Sequence, residues 1–273
     1  MKRRDFLKMG SFMTVSVAAI GVTGCSLSVD GDDDANQTGT VNRPMPSAAT
    51  GANWWFPQSV ASGDPRPDSV VFWTRVVPST GATATDPTAV TTTSTAIRLL
   101  VSSSDESAKL GTNTALNGTI VADVTVPAYA DFDGTVRHKL TELTPNTTYF
   151  FQFVAGDARS KVGRVKTAQA ESASNNVKFA FMSCQDWSDN HWGAFSQIVT
   201  DDGAGSTPSL DFVVHLGDYI YETDSATTAE ALHTPVSLPS GGEFAATRDD
   251  YRYLYKLYRS DTRIQAFHER FPM

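Results

Sequence analysis

The sequence predicts two folded domains, an all-β sandwich followed by the opening part of an α/β domain. Between about residues 53 and 170, short β-branched and aromatic runs alternate with segments rich in Gly, Pro, Asp, Ser and Thr, which is typical of a sandwich. After residue 177, continuous apolar runs alternate with a helical pattern, which indicates strand, helix, strand. The length of 273 residues allows one or two domains of ordinary size.

The composition excludes several classes of protein. With 19 Gly and 13 Pro the chain is not collagen-like, and with 40% apolar residues it can bury a core. Two Cys cannot build a disulfide scaffold. The formal net charge of −8 offers no basic surface for a phosphate backbone, so we expect no nucleic-acid partner.

The first 25 residues carry the features of an export signal. Four basic residues stand against one acidic residue, a net charge of +3, which leaves −11 for the rest of the chain. Arg3 and Arg4, followed by Asp, Phe, Leu and Lys, resemble the twin-arginine export signal. The apolar stretch at residues 9–22 is interrupted by Gly, Ser and Thr, and it is shorter than the roughly 20 residues of a membrane-spanning helix. We therefore expect the twin-arginine export machinery as a partner.

The end of this segment predicts a lipid anchor. Val22 to Cys25 reads Val-Thr-Gly-Cys, which resembles the bacterial lipobox, and the resemblance implies that Cys25 becomes the lipid-bearing mature N-terminus. An ordinary signal peptide with an incidental Cys is the alternative. The expected location is outside the cytoplasm, in the periplasm or at the cell surface, with the protein lipid-anchored to a bacterial membrane.

Residues 26–52 predict a disordered acidic tether. Asp30 and residues 32–34 form an acidic run that is followed by Asn, Gln, Thr, Gly and Pro, and such a segment buries too little apolar surface to order itself. A calcium-binding loop is the alternative, but the spacing lacks the later Glu of an EF-hand.

Residues 53–170 are the predicted β domain. Strands are expected at residues 69–75 and 96–101, and a last strand at residues 159–167. Residues 79–95 have no apolar period and predict a solvated loop. No titratable residues are expected to converge in this domain, which favours a structural or interaction module.

The segment from Leu143 to Tyr149 has the pattern Leu-x-Pro-x-Thr-x-Tyr. This pattern resembles the turn into the sixth strand of fibronectin type III domains, where the Tyr hydroxyl bonds back to the backbone. The resemblance implies a fibronectin type III or immunoglobulin-like sandwich, with Tyr149 in that role.

Residues 177–273 begin with a strand, a helix and a second strand. Residues 177–182 and 210–216 are continuous apolar runs, the pattern of strands buried on both faces. The helix between them is predicted from one apolar side formed by Trp192, Phe195, Ile198 and Val199. Polar residues follow both strands and are expected to meet at one edge of the sheet.

Two further helices are predicted towards residue 273. The first has a face, expected to pack in the core, that is formed by Tyr251, Leu254, Tyr255 and Tyr258. Asp261 is expected to cap the second, which contains Ile264 and Phe267.

The loops after the two strands carry candidate metal ligands. Cys184 follows the first strand, and Gly217, Asp218 and Tyr221 follow the second. An acidic residue at the tip of a buried strand needs a cation or hydrogen-bond donors in place of its hydration shell. A thiolate is a soft ligand, and a phenol with a pKa near 10 ionises at working pH only on a strongly Lewis-acidic metal such as Fe(III). Gly217 is expected to keep a side chain out of the approach to the metal.

Each candidate ligand also has a purely structural interpretation. Cys184 fits a small buried residue, Tyr221 an aromatic cap and Asp218 a turn former. His215 fits a core or supporting histidine better than a ligand. Two interpretations are open for Asp186, His191 and Glu222. Either they support the metal ligands without binding the metal, or they are exposed loop residues without a role.

Several segments together look like the alkaline phosphatase D (PhoD-like) family. Gly217-Asp218-x-x-Tyr221 resembles the second metallophosphoesterase motif in the form found in purple acid phosphatases. The other segments are Ala61 to Pro65, Val71 to Arg75, Ser183 to Gln185, His215 to Glu222 and Tyr251 to Asp261. The resemblance runs from Trp54 to Met273, and it implies a fibronectin-like sandwich followed by an αββα metallophosphatase domain.

The resemblance also implies an activity and a ligand set. Members of the family hydrolyse phosphate monoesters and diesters, with metal ions stabilising charge in an in-line displacement. Carried across, Cys184, Asp218 and Tyr221 hold Fe(III), and Asp218 also bridges to Ca²⁺. A phosphoester is the implied substrate.

The family pattern continues past Phe271, Pro272 and Met273 into a third strand and further metal ligands. We therefore expect residues 177–273 to be the N-terminal part of a catalytic domain, from a truncated or split phosphatase that is inactive as this portion alone. The alternative is a surface lipoprotein whose fibronectin-like domain is a binding module, with a non-catalytic phosphatase remnant.

Overall fold

The computed structural model of the protein describes residues 43–80, 85–187, 192–203, 208–222 and 236–273. The predictions for Arg3, Arg4, Cys25, the acidic run at residues 30–34 and His191 lie outside these ranges. None of the helices within them combines the length and the apolar character needed to cross a membrane.

Antiparallel strands form the described part of the first domain. In chain order they are β1 (Trp54–Trp55), β2 (Val60–Gly63), β3 (Val70–Arg75), β4 (Val77–Pro78), β5 (Thr95–Ser102), β6 (Ile120–Ala128), β7 (Thr135–Leu140), β8 (Thr148–Ala155), β9 (Ala158–Arg159) and β10 (Gly163–Lys166). Short 3-10 helices lie at Ser107–Lys109 and Ala130–Phe132.

Two sheets of this domain share one hydrophobic core. The larger has the strand order β10-β8-β5-β6 with β9 beside β8, and the smaller has the order β2-β3-β7. Phe72 of the smaller sheet and Phe151 of the larger are fully buried, and their rings meet edge to face with centroids 4.8 Å apart. The strands predicted at residues 69–75 and 96–101 are confirmed as β3 and β5.

The turn before β8 contains the contact expected of Tyr149. The Tyr149 hydroxyl accepts a hydrogen bond of 2.9 Å from the backbone N–H of Thr144, and the ring packs in the shared core. The hydroxyl therefore fixes the turn that leads the chain into the strand.

Two predictions for the first domain were wrong in part. The last strand is divided between β9 and β10, because the backbone N–H of Val162 donates to Thr112 and leaves the ladder of the sheet. The loop at residues 79–95 is also not simply solvated. Thr91 is buried, and the carbonyls of Pro87 and Ala89 accept hydrogen bonds from Arg75, so a buried guanidinium anchors the loop.

Residues 43–52, at the end of the predicted tether, contact the first domain. The backbone N–H of Ala49 donates to the carbonyl of Ala96, and the N–H of Ala96 donates to Ser47, both at 2.9 Å. The guanidinium of Arg43 lies over the ring of Tyr129, 4.6 Å from its centroid. The packed part of the chain therefore begins before residue 53.

The second domain contains the predicted strand, helix and strand. Its elements are β11 (Phe179–Met182), α1 (Gly193–Asp201), β12 (Phe212–His215), α2 (Arg248–Tyr258) and α3 (Thr262–Arg270). Strands β11 and β12 pair in parallel, with Phe179 opposite Phe212 and Met182 opposite His215. The three helices pack through one core that includes Trp192, Phe195 and Phe267.

The prediction that β11 is buried on both faces was wrong. Ala180 and Met182 pack against the helical core, whereas Phe179 and Phe181 are 50% and 70% exposed. Alternate side chains of a strand point to opposite faces, and the described helices cover one face only. Among the described residues, nothing covers the other face, on which Phe179 and Phe181 lie.

Helix α2 buries a different face from the predicted one. Leu254 and Tyr258 are in the core, but Tyr251 and Tyr255 are 37% and 43% exposed. Lys256 is buried in their place, because α2 also faces the first domain. Asp261 accepts a hydrogen bond from the N–H of Arg263, which confirms the predicted cap of α3.

A buried ion cluster joins the two domains. Asp133 Oδ1 is 2.8 Å from Nη2 of Arg75, and Asp133 Oδ2 is 2.7 Å from Nζ of Lys256 on α2. The three side chains are at most 8% exposed. The expectation that no titratable residues converge in the first domain was therefore wrong, because Arg75 and Asp133 of that domain pair with each other. Lys256 of the second domain completes the cluster.

Direct hydrogen bonds extend this interface beyond the ion cluster. Ser59 donates to Oε1 of Glu269 at 2.6 Å, and Arg164 donates to the carbonyl of Leu210 at 3.0 Å. The N–H of Met273 donates to the carbonyl of Ser62 at 3.0 Å. The interface is therefore polar as well as buried, and it joins β2 and β10 of the first domain to α3, Leu210 and Met273 of the second.

Candidate metal centre

The loops after β11 and β12 are held together by their backbones. The N–H of Cys184 donates to the carbonyl of Gly217 at 3.0 Å, and the N–H of Gln185 donates to the carbonyl of Asp218 at 2.8 Å. Because parallel strands end at the same edge of a sheet, this pairing continues past the strands and sets the two loops side by side.

The three predicted ligands meet at one carboxylate oxygen. Oδ2 of Asp218 lies 3.2 Å from Sγ of Cys184 and 3.2 Å from the hydroxyl oxygen of Tyr221. The thiol and the phenol both donate to that oxygen. The structure therefore brings Cys184, Asp218 and Tyr221 into a single group from two loops.

Both strand ends adopt a backbone conformation that L side chains rarely accept. The φ angles of Cys184 and Asp218 are +57° and +54°, in the left-handed region that costs a non-glycine residue about 1–2 kcal/mol. Such local strain is concentrated at functional sites.

The reason for glycine at position 217 differs from the predicted one. Among the described residues, no atom lies within 4 Å of the position that a Cβ of Gly217 would occupy, so space alone does not demand glycine. The φ of Gly217 is +123°, which only glycine adopts without strain. Gly217 is needed for the turn that presents Asp218.

The group is open to solvent on the side of the two loops. Cys184 and Asp218 are exposed and Tyr221 is partly exposed, so the interpretation of Cys184 as a small buried residue was wrong. Burial, with hydrogen bonds to Cys184 and Asp218, raises the pKa of the Tyr221 hydroxyl to about 12. Without a cation nearby the phenol therefore keeps its proton at neutral pH.

His215 supports the turn from the end of β12. Its Nδ1 accepts a hydrogen bond of 3.3 Å from the N–H of Gly217, and its ring stacks on Phe195 with centroids 6.1 Å apart. Burial lowers the pKa of His215, and the negative charge of Asp218 opposes that shift. His215 thus acts on the site through Gly217.

The other two predicted supporting residues lie at the edges of the loops. Asp186 is partly buried and its carbonyl accepts a hydrogen bond from the Gln185 side chain. Glu222 is exposed, and its carbonyl accepts from the N–H of Ala245. Both contacts use backbone oxygens, so they hold the loops in place.

The donor set fits a metal ion only if the tyrosine is included. Within the parts of the chain that the structure describes, no group of three or more His, Cys, Asp and Glu side chains is placed to hold a metal. Thiol, carboxylate and phenol together offer three groups that become anionic on a cation, and their convergence on Oδ2 of Asp218 fits a highly charged ion.

A cavity of about 560 Å³ adjoins Asp218 on the side of α2 and α3. Its lining includes His215, Asp218, Tyr219, Tyr255, Arg259 and His268. The Tyr219 hydroxyl lies 2.8 Å from Nε2 of His268. Burial raises the pKa of Tyr219 to about 12, and burial, with Arg259 and His215, holds the pKa of His268 well below its usual range. Both side chains are therefore neutral near pH 7.

Sequence reasoning missed Arg259 and His268. Arg259 follows Tyr255 at the spacing that places two residues on one side of a helix, and that spacing was the available signal. His268 lies on the apolar face of α3 together with Ile264 and Phe267, where no local pattern distinguishes a cavity from the core.

Two family models place the chain in a class of phosphatases. Residues 42–169 match the family model for the N-terminal domain of PhoD-like phosphatases, and residues 179–273 match the model for the PhoD-like phosphatase itself. The two matches together cover most of the chain, and the chain belongs to the PhoD-like phosphatase family.

Two particular relatives agree with this assignment. The chain is 31% identical over 226 residues to alkaline phosphatase D of Bacillus subtilis (strain 168), a match that covers 80% of this chain and 33% of that protein. A solved structure of PhoD has a TM-score of 0.61 and 29% identity, and the match covers 84% of this chain and 39% of that one. The chain thus spans about a third of the length of its curated relative.

Proposed function

We propose that this protein is an exported phosphoesterase that hydrolyses phosphate monoesters and diesters by metal-assisted attack. The observation that carries the proposal is the meeting of Cys184 and Tyr221 at Oδ2 of Asp218, at the ends of two parallel strands. Membership of the PhoD-like phosphatase family and the similarity to alkaline phosphatase D support the same function.

Cys184, Asp218 and Tyr221 would hold Fe(III), and Asp218 would also be a ligand of Ca²⁺. When bound, such ions polarise the phosphoryl oxygens and lower the pKa of a coordinated water. The choice of iron rests on the donor set, since a phenol whose pKa is raised to about 12 loses its proton only to a strong Lewis acid.

The side chains that would hold a metal ion carry protons in the structure. The thiol of Cys184 and the phenol of Tyr221 each donate to Oδ2 of Asp218. Binding of a metal ion to these groups would release both protons, so its affinity would rise with pH. The paired loop backbones and the turn at Gly217 hold the three side chains close together.

Replacing Asp218 tests the metal-assisted mechanism. We expect Asp218→Asn to lose bound iron and to reduce hydrolysis of a phosphate diester about 100-fold or more, because the shared acceptor can no longer balance the charge of the ion. Tyr221→Phe should remove the visible charge-transfer band of an Fe(III)-phenolate. Metal content, absorption spectra and hydrolysis are measured on the native gene product before and after chelation.

Asp249→Asn is the matched control, since Asp249 is an aspartate on the surface of α2 with 71% of its side chain exposed. It should keep both iron and activity. A colourless, metal-free protein with full activity would overturn the metal assignment.

Export and anchoring form the second part of the proposal. Arg3 and Arg4 direct the chain to the twin-arginine export machinery, and lipid on Cys25 holds it on a membrane facing the periplasm or the cell surface. Cys25→Ser should move the protein from the membrane fraction to the soluble fraction, and changing both arginines to lysine should block export. Membrane retention of Cys25→Ser would rule out the lipid anchor.

A further inference from the structure

The loop that carries Cys184 is held at both of its ends. At the start of the loop, the backbone N–H groups of Cys184 and Gln185 donate to carbonyls of the loop after β12. At the other end, Trp187 is 9% exposed and packs in the helical core of the second domain. Two residues separate Cys184 from Trp187, so the position of the indole limits where Cys184 can lie.

Trp187 contacts both sides of the turn between α2 and α3. Its ring centroid lies 4.7 Å from that of Tyr258, the last residue of α2. Its Nε1–H donates to Oδ2 of Asp261, the N-cap of α3, at 3.4 Å. The Asp261 side chain is 12% exposed and also pairs with Arg263, so the acceptor is itself held in place. Ring packing and an N–H bond therefore fix the indole together.

The turn between α2 and α3 is in turn bonded to the first domain. Nε2 of Gln265 donates to the carbonyl of Ser260 in the turn at 3.1 Å and to the carbonyl of Pro57 in the first domain at 3.0 Å. Nε2 of Gln58 donates to the carbonyl of Lys256 at 3.0 Å. The indole therefore lies against a part of the helical layer that both domains hold.

We propose that Trp187 is a positioning residue that holds the thiol of Cys184 against the carboxylate of Asp218. Cys184 is exposed with a φ of +57°, a conformation that persists only where the surroundings impose it. Without the indole the loop can relax, and Sγ then moves away from Oδ2 of Asp218, from which it is now 3.2 Å. The proposal rests on the proposed function, because that function makes Cys184 and Asp218 metal ligands.

The reactivity of the Cys184 thiol in metal-free protein tests this position directly. The chain has two Cys, so Cys25→Ser leaves Cys184 as the one thiol, and the full chain is treated with dithiobis(nitrobenzoate) in the presence of chelator. A thiolate formed beside a carboxylate is disfavoured, which slows the reaction. We expect Trp187→Phe, which loses the N–H, to accelerate it about threefold or more. Trp187→Leu, which also loses the ring, should accelerate it further.

Two controls separate positioning from a general loosening of the domain. In the Asp218→Asn protein the repelling charge is absent, so Trp187→Phe should change the rate by less than about twofold. Ile264→Val removes one methylene from the same core, where Ile264 is fully buried, and should leave the rate unchanged. Thermal melting establishes that each variant is folded, and Trp187→Phe carries the test if Trp187→Leu does not fold. An unchanged rate in Trp187→Phe, or equal acceleration in either control, would overturn the proposal.

Titration with Co²⁺ extends the test to the metal, because thiolate bound to Co²⁺ gives charge-transfer absorption. Residues that orient metal ligands typically change metal affinity by about 10–100-fold, and we expect Co²⁺ to bind at least about tenfold more weakly to Trp187→Phe. The proposed function fails separately. Thiol rates that depend on Trp187, in a native protein that neither binds metal nor hydrolyses phosphoesters, keep the positioning role and refute the enzyme. Metal-dependent hydrolysis with a Co²⁺ affinity that Trp187→Phe does not change refutes the positioning role alone.

Discussion

Asp133 and Asp218 have the same backbone conformation and opposite environments. Both have a φ of +54°, and each accepts hydrogen bonds from the side chains of two other residues. Asp133 is buried between Arg75 and Lys256, whereas Asp218 is exposed and, among the described residues, its side-chain donors are a thiol and a phenol. The first aspartate has its cations within the chain and serves stability, and the second has none in the described residues and is suited to an external ion.

The largest effect on stability is expected at Asp133. Asp133→Asn leaves two buried cations without a carboxylate and should lower the free energy of unfolding by about 3–5 kcal/mol. Urea unfolding measures the change. Asp131→Asn is the matched control, because the pair of Asp131 with Arg43 is at the surface and should cost no more than about 1 kcal/mol. Equal losses of stability at Asp133 and Asp131 would mean that burial does not make the ion cluster more important than the surface ion pair.

An intermediate effect on stability is expected at Asp250, whose carboxylate accepts hydrogen bonds from backbone N–H groups. Its carboxylate accepts from the N–H groups of Ser240, Ala246 and Thr247. Burial acts to raise the pKa of Asp250, but these hydrogen bonds and that of the Thr247 side chain outweigh it and hold the pKa well below its usual range.

A carboxyl with a depressed pKa contributes stability above its unfolded pKa of about 4 and loses it as the pH falls towards the folded value. Asp250→Asn should therefore destabilise the protein at pH 7 and pH 5, and the difference from the parent should shrink at pH 3. Urea midpoints at the three pH values measure this, with the exposed Asp249→Asn as a control. A difference that does not change with pH would contradict the role of ionisation.

The smallest effect on stability is expected at Asp218. Asp218→Asn keeps an acceptor for Cys184 and Tyr221, and Asn tolerates the left-handed conformation, so the free energy of unfolding should change by no more than about 0.5 kcal/mol. The same substitution should abolish iron binding. A loss of unfolding free energy as large as that at Asp133 would mean that Asp218 has a structural role in the domain.

The elements that the sequence predicted correctly are marked by patterns within short segments of the chain. The apolar runs at residues 177–182 and 210–216 predicted parallel strands, and parallel strands carry Cys184 and Asp218 to one edge whatever the rest of the domain does. The spacing of Gly217, Asp218 and Tyr221 then placed the tyrosine within reach of the same oxygen.

The elements that sequence missed depend on residues far apart in the chain. Asp133 is 58 positions from Arg75 and 123 from Lys256, and nothing near any of them indicates the other two. The apolar pattern of α2 predicted a buried tyrosine face, but in the structure α2 also packs against the first domain, so that Lys256 is buried while Tyr251 and Tyr255 are exposed. The contact between the indole of Trp73 and the guanidinium of Arg259, 4.0 Å from the ring centroid, likewise joins residues far apart in the chain, across the interface.

The ion cluster also bears on the order in which the chain folds during synthesis. Lys166 ends the last strand of the first domain, and Lys256 is made about ninety residues later. Asp133 and Arg75 both belong to the first domain, and domains generally fold from the N-terminus onward. We therefore expect the first domain to fold before α2 leaves the ribosome, with the carboxylate of Asp133 already in place to accept Lys256.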